Sequence, residues 1–97
     1  DSKVNKTIEI IKNSINSNEK IIVFSQFTSS LNRLELLFKE SNYSYLRLDG
    51  STTKTDRNKY VEQFQDINSR FDIFLISLKA GGVGLNLTSA RSAILFE

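Results

Sequence analysis

Val4, Ile8, Ile11 and Ile15 follow one another at steps of four, three and four residues. That spacing gathers them on one stripe of an amphipathic helix. The polar run Asn16-Ser17-Asn18 ends it. Lys20-Ile21-Ile22-Val23-Phe24 comes next, a β-branched run between polar residues, and predicts a buried strand. A second helix is expected from Leu31, Leu34, Leu37 and Phe38, capped by Thr28, Ser29 or Ser30 and followed by a turn at Asn42. Tyr43 to Leu48 predicts a second strand, ending at Asp49-Gly50-Ser51-Thr52. Thr53 with Asp56 three residues on has the form of a capping pair. It opens a third helix whose buried stripe is read as Tyr60, Val61, Phe64 and Ile67. Phe71 to Ile76 predicts a third strand, the stretch from Ser77 to Asn86 a turn or short helix, and Ser92 to Phe96 a fourth strand.

Strands separated by helices imply an α/β fold. The sheet should be mainly parallel, with right-handed crossovers and helices on both faces. This pattern leaves the order of strands within the sheet open.

Composition narrows the chemistry. The 97 residues amount to one domain, and none of them is Cys, His, Trp, Met or Pro. A disulfide framework and a Cys/His zinc site are excluded, as are a histidine base and a cysteine nucleophile. Thirteen basic and 11 acidic residues give a net charge of +2, which permits a nucleic-acid partner without arguing for one. Lys54, Arg57 and Lys59 are interleaved with Asp56 and Glu62, the pattern of a solvated helix face. No apolar run approaches the roughly 18 residues that a membrane span needs.

All four glycines fall in two loops, Gly50 in one and Gly81, Gly82 and Gly84 in the other. Each loop follows an expected strand. In open parallel sheets ligands bind beyond the carboxyl ends of the strands. Three loops should share that edge: Ser25-Gln26-Phe27-Thr28, Asp49-Gly50-Ser51-Thr52 and the stretch from Ser77 to Asn86. Hydroxyls, glycines and backbone amides in a row suit phosphate oxygens, of a nucleotide or of a phosphodiester chain. Ordinary turn chemistry uses the same residues, so each loop alone has that simpler explanation. For Asp49, the only carboxylate in these loops, it is a side chain bonding its own turn. There is no G-x-x-x-x-G-K-[ST] loop to grip a β/γ-phosphate. G-x-G-x-x-G is also missing, because Leu87 stands at the third glycine position after Gly82 and Gly84.

Three segments, in order, resemble the Swi/Snf-type DNA-dependent ATPases. Lys20-Ile21-Ile22-Val23-Phe24-Ser25-Gln26-Phe27-Thr28 is similar to helicase motif IV of that family. Leu46-Arg47-Leu48-Asp49-Gly50-Ser51-Thr52, with Arg57 and Phe64 downstream, resembles the segment that follows it. The run from Ser77 to Thr88, Ser-Leu-Lys-Ala-Gly-Gly-Val-Gly-Leu-Asn-Leu-Thr, resembles motif V. The matches span nearly all of residues 1–97, and the flavour is closest to the RING-finger-bearing translocases of DNA repair and transcription termination.

The resemblance implies the second RecA-like lobe of a two-lobed, nuclear ATPase that tracks double-stranded DNA. ATP with Mg2+ would lie between the lobes, the magnesium held mainly by the first. Ser25, Gln26 and Thr28 would lie near one DNA strand, and Gly50 and Ser51 would bring backbone close to a phosphate. Ser77, Lys79 and Ala80 are implied at the DNA backbone. Gly82, Gly84 and Asn86 would face the nucleotide, with Asn86 near the ribose. Arg57 would either pair with Asp49 or Asp56 or meet DNA. The lobe is expected to be incomplete at its C-terminal end. The family's arginine-finger motif would fall beyond Glu97, leaving no catalytic residue here and no activity for the 97 residues alone. Two other classes stay in view. One is a non-catalytic α/β interaction module or degenerate motor lobe. The other is a receiver domain, which would need an acidic cluster that Asp49 alone does not supply.

Overall fold

A computed structural model describes residues 2–80, 85 and 87–96. Helix α1 spans Ser2–Asn16, strand β1 Lys20–Ser25, helix α2 Thr28–Glu40 and strand β2 Tyr45–Leu48. Helix α3 spans Lys54–Gln65 and strand β3 Ile73–Ser77. A 3-10 turn at Leu78–Ala80 follows, and strand β4 covers Ala90–Leu95. The sheet order is β2-β3-β1-β4, and every pairing is parallel. The expected architecture is therefore the observed one, and the structure supplies the strand order.

Each face of the sheet carries its own apolar cluster. Val4, Ile11, Leu31, Leu34 and Phe38 from α1 and α2 pack on Ile21, Val23, Ile73 and Leu75. On the other face Phe64 of α3 packs on Ile22, Leu46, Leu48, Phe74 and Ile76. Successive strand residues alternate between faces, so β1 and β3, apolar at nearly every position, are covered on both sides.

Local signals explain most boundaries. The chain leaves α1 through Asn18 at φ 59° and leaves α2 through Asn42 at φ 59°, a left-handed conformation that asparagine tolerates. The Thr53 hydroxyl accepts the Asp56 amide at 3.1 Å, so the expected cap of α3 is present. The cap of α2 differs from expectation. Thr28 is already helical, and the cap position is Phe27, in extended backbone with no side-chain cap bond. Ser25 takes the Phe27 amide instead, at 3.2 Å, which fixes the turn one residue earlier. Ile67 does not join the α3 stripe. The helix ends at Gln65, and Ile67 is 82 % exposed.

β4 contains one further departure. Lys20 pairs with Ala90, but Ile21 pairs with Ser92, so Arg91 is an extra residue in the ladder. A single inserted residue reverses which side chains face which layer. Ala90 consequently packs with the α3-side cluster, whereas Ile94 and Phe96 pack with the α1/α2-side cluster.

At the amino-terminal edge of the sheet, Lys20 is buried. Its ammonium donates to the Phe71 carbonyl at 2.5 Å and the Ser69 hydroxyl at 3.1 Å, and it lies 5.2 Å from the Phe64 ring centroid. Burial pushes its pKa below the ordinary lysine range, opposed by the charges of Asp72 and Asp66.

Candidate nucleic-acid interface

Parallel pairing sets the carboxyl ends of β1, β2 and β3 in line. Ser25 ends β1 directly beside Ser77, which ends β3, and Leu48 ends β2 beside Ile76. The three candidate loops therefore leave the sheet at one edge, as the strand pattern requires.

The residues on that edge divide by exposure. Gln26, Thr28, Gly50, Ser51 and Lys79 are exposed, and Ala80 is half-buried. Ser25 and Ser77 are buried, with no solvent access at Ser25 and 7 % at Ser77. These two serines lie beneath the surface that the others form, and Ser25 spends its oxygen on the Phe27 amide. Gly82, Gly84 and Asn86 lie outside the described residues.

α2 begins at this edge. An α-helix leaves its first amides without intrahelical partners, and they point outward with the positive end of the helix dipole. The cap residue Phe27 offers no side-chain cap bond, and a helix start of this kind suits an anion.

The Asp49–Thr52 turn is tightly wired. Asp49 Oδ1 accepts the Ser51 amide at 2.9 Å and the Ser51 hydroxyl at 2.6 Å, while the Asp49 amide donates to Thr52 Oγ1 at 2.9 Å. Those two bonds from Ser51, with the Arg47 guanidinium, hold the Asp49 carboxyl below its usual range. Asp49 is thus a turn-former, as its simpler reading had it. Gly50 stands apart from this wiring. A Cβ built there would meet nothing within 4 Å, so no packing among the described residues demands glycine.

Arg47 ties the turn to α2. Nε donates to Asp49 Oδ2 at 2.9 Å, and Nη1 donates to Asn32 Oδ1 at 2.7 Å and Glu35 Oε2 at 2.9 Å. Burial raises the Glu35 carboxyl, but hydrogen bonds from Arg47, Tyr45 and Lys39 outweigh it and the net shift is downward. Burial and the neighbouring Glu35 charge push the Tyr45 hydroxyl up to about 12. Sequence reasoning passed over this network. The signal was an arginine between Leu46 and Leu48, on the half-buried face of a strand whose other face is buried.

Arg57 takes neither Asp49 nor Asp56. Its Nη2 donates to the Ala80 carbonyl, at the end of the 3-10 turn that carries Lys79. Beside it, Thr52, Lys54, Arg57 and Asn58 line an open concavity next to the Gly50–Ser51 turn. Among the described residues no cluster of three metal-ligating side chains occurs, and no helix is long and apolar enough to cross a membrane.

This arrangement has close counterparts. Residues 2–97 match the family model for the helicase conserved C-terminal domain. The ATP-dependent helicase fft3 of Schizosaccharomyces pombe is 38 % identical over 99 % of this chain and 10 % of its own length. The DNA repair protein RAD5B of Arabidopsis thaliana is 45 % identical over 99 % of this chain and 7 % of its own. The chromatin-remodeling ATPase INO80 of the same plant is 41 % identical over the whole chain and 6 % of its own length. The chain thus spans a tenth or less of these relatives. Among solved structures, the C-terminal part of the Fun30 ATPase domain superposes with a TM-score of 0.87 at 36 % identity, covering 98 % of this chain and 31 % of that one. The SWI2/SNF2 ATPase C-terminal domain of Sulfolobus solfataricus gives 0.85 at 34 % identity, covering 98 % and 42 %. A four-stranded parallel sheet with this motif order, matched along its length in sequence and in shape, places the chain in the helicase conserved C-terminal domain family, among the Swi/Snf-type ATPases.

Proposed function

We propose that the chain is the second motor lobe of an ATP-dependent translocase on double-stranded DNA, working in the nucleus in chromatin remodelling or DNA repair. The observation that carries this is the shared edge. Gln26, Thr28, Gly50, Ser51 and Lys79 are exposed on three loops at the carboxyl ends of adjacent strands, beside the uncapped start of α2. Amides, hydroxyls and one ammonium form a surface for phosphodiester oxygens and have no base-reading pattern, so binding is independent of sequence. Gln26 and Thr28 with the α2 amides meet one phosphate region. The Gly50–Ser51 backbone, and Lys79 with Ala80, meet others. Ser25 and Ser77 hold the loop starts from beneath.

ATP with Mg2+ binds between this lobe and the first lobe of the same motor, which holds most of the nucleotide and the metal. Gly82, Gly84 and Asn86 are this lobe's contribution to the wall of that site. Phosphoryl transfer in such motors is largely positioning and charge stabilisation, which is compatible with a lobe that has no histidine or cysteine.

The test is DNA-stimulated ATP hydrolysis by a protein carrying this lobe together with its first lobe, and the salt dependence of its binding to duplex DNA. Lys79→Ala should reduce the slope of log K against log salt by about 0.9, the share of one phosphate contact on duplex DNA. An unchanged slope removes Lys79 from the interface. No stimulation of hydrolysis by DNA in the unsubstituted protein would overturn the motor reading and leave a non-catalytic interaction module.

A further inference from the structure

Helix α3 holds both ends of the connection between β3 and β4. At its start, Arg57 donates to the Ala80 carbonyl. At its end, Gln65 is engaged three times. Nε2 donates to Thr88 Oγ1 at 3.0 Å, Oε1 accepts the Ser89 amide at 2.9 Å, and the Gln65 carbonyl accepts the Ser89 hydroxyl at 2.7 Å. Leu85 and Leu87 between these anchors, with Ala80 and Ala90 flanking them, pack against the same apolar cluster as Phe64, Tyr60 and Val61. Arg57 and Gln65 are eight residues apart, about 12 Å along the helix axis.

α3 itself gains little from these bonds. Arg57 on a helix surface would be well solvated, and Gln65 is the last helical residue. The bonds act on the crossover: one fixes the carbonyl that ends the Lys79 turn, and the others fix the entry into β4. α3 also follows directly on the Gly50–Ser51 turn, through its cap Thr53. A displacement of that turn by DNA would therefore be passed along a rigid helix to both ends of the crossover.

We propose that α3 is a splint that fixes the two ends of the β3–β4 crossover, at Ala80 and at Thr88 and Ser89, with Arg57 and Gln65 as positioning residues for the motor's DNA-stimulated hydrolysis. The hydrolysis clause rests on the function proposed above, whereas the splint itself does not. Neither residue touches DNA or nucleotide in this role. Each acts by holding its end of the crossover, Arg57 at Ala80 and Gln65 at Thr88 and Ser89.

The experiment uses the two-lobed protein carrying this lobe, with Arg57→Ala, Gln65→Ala and the double substitution. Amide hydrogen exchange is followed in peptides spanning residues 78–90, without DNA or nucleotide. Each single substitution should speed exchange at both ends of that span at least threefold, including the end about 12 Å from the altered residue, while peptides of β1 and α2 keep their rates. Gln65→Glu keeps the acceptor for the Ser89 amide and should restore most of the protection. DNA-stimulated kcat should fall about fivefold in each single variant and little further in the double, because releasing either end already frees the crossover. Independent sites this far apart would multiply their effects. Acceleration confined to the substituted end, or multiplicative losses of kcat, would overturn the splint. If the unsubstituted protein shows no DNA-stimulated hydrolysis, the motor reading fails on its own, and the exchange pattern still decides the splint.

Discussion

Phe64 and Ile67 occupy equivalent places in the apolar periodicity of the third helix, yet the structure treats them oppositely. Phe64 is fully buried, and it is the only fully buried residue of α3. Its ring meets Phe74 with centroids 5.2 Å apart and an interplanar angle of 54°. The Lys20 ammonium lies over the same ring, 5.2 Å from its centroid. Replacing it by alanine removes a buried aromatic and leaves a cavity, a loss of about 3–5 kcal/mol. The ring pair is about 0.5–1.5 kcal/mol of that. A chain of this length has a total stability of roughly 5–15 kcal/mol, so Phe64→Ala should consume a large part of it. Phe64→Leu keeps most of the volume and should cost less than half as much. Ile67→Ala alters an exposed side chain and should stay within about 0.5 kcal/mol of the unsubstituted chain. Urea unfolding followed by tyrosine fluorescence measures all three, since the chain has three tyrosines and no tryptophan. A Phe64→Ala loss below about 1.5 kcal/mol, or a loss at Ile67 equal to that at Phe64, would refute the claim that α3 docks through this one ring.

Gly50→Ala should leave stability unchanged or raise it by up to about 1 kcal/mol, because the new methyl meets open space and the unfolded chain loses freedom. The same substitution should weaken duplex DNA binding if backbone meets phosphate there, read by fluorescence anisotropy at two salt concentrations. Arg47→Ala should cost about 1–2 kcal/mol in urea unfolding, since it leaves Asp49 and Glu35 half-buried without their shared cation. The carboxyls of Asp49 and Glu35 are held below their ordinary values of 3.8 and 4.5, so the stability they contribute is present above those values and lost as pH falls through the depressed ones. Burial raises the Asp72 carboxyl, which acts in the opposite sense. The Asp49→Asn, Glu35→Gln double variant should therefore flatten the acid limb of Tm against pH, whereas Asp72→Asn should not.

Sequence alone recovered what short-range physics determines. Thr53 and Asp56 are three residues apart, so the cap of α3 depends on little else. Asn18 and Asn42 likewise sit where a helix was expected to end or turn, and the structure adds that each does so in a left-handed conformation. Features set by distant partners were not legible. Ile67 fits the helical period, but the helix ends at Gln65, whose side chain and carbonyl instead bond Thr88 and Ser89. For Arg57 the residues suggested Asp49, Asp56 or DNA, whereas the structure gives it a carbonyl 23 residues away. Ser25 belonged to the right loop and the right edge. It is buried at the end of β1 beside Ser77, with its oxygen taken by the Phe27 amide, which no pattern of residue types announces. The strand order required knowing which loops reach over which strands.

That order has a temporal side. β1 lies in the middle of the sheet, between β3 and β4, and it precedes both of them in the chain. Its neighbour β3 begins about 50 residues later in the chain and its other neighbour about 70 residues later. At roughly 5–20 residues per second, the apolar run of β1 waits several seconds at least for both edges to be paired. β2, synthesised next, cannot shield it, because β3 lies between them. Long-range parallel pairing of this kind also makes the search itself slow. During that interval α1 and α2 can cover β1 from one face, whereas its other face gains Phe64 only when α3 has been made, and until then it is a surface a chaperone would bind.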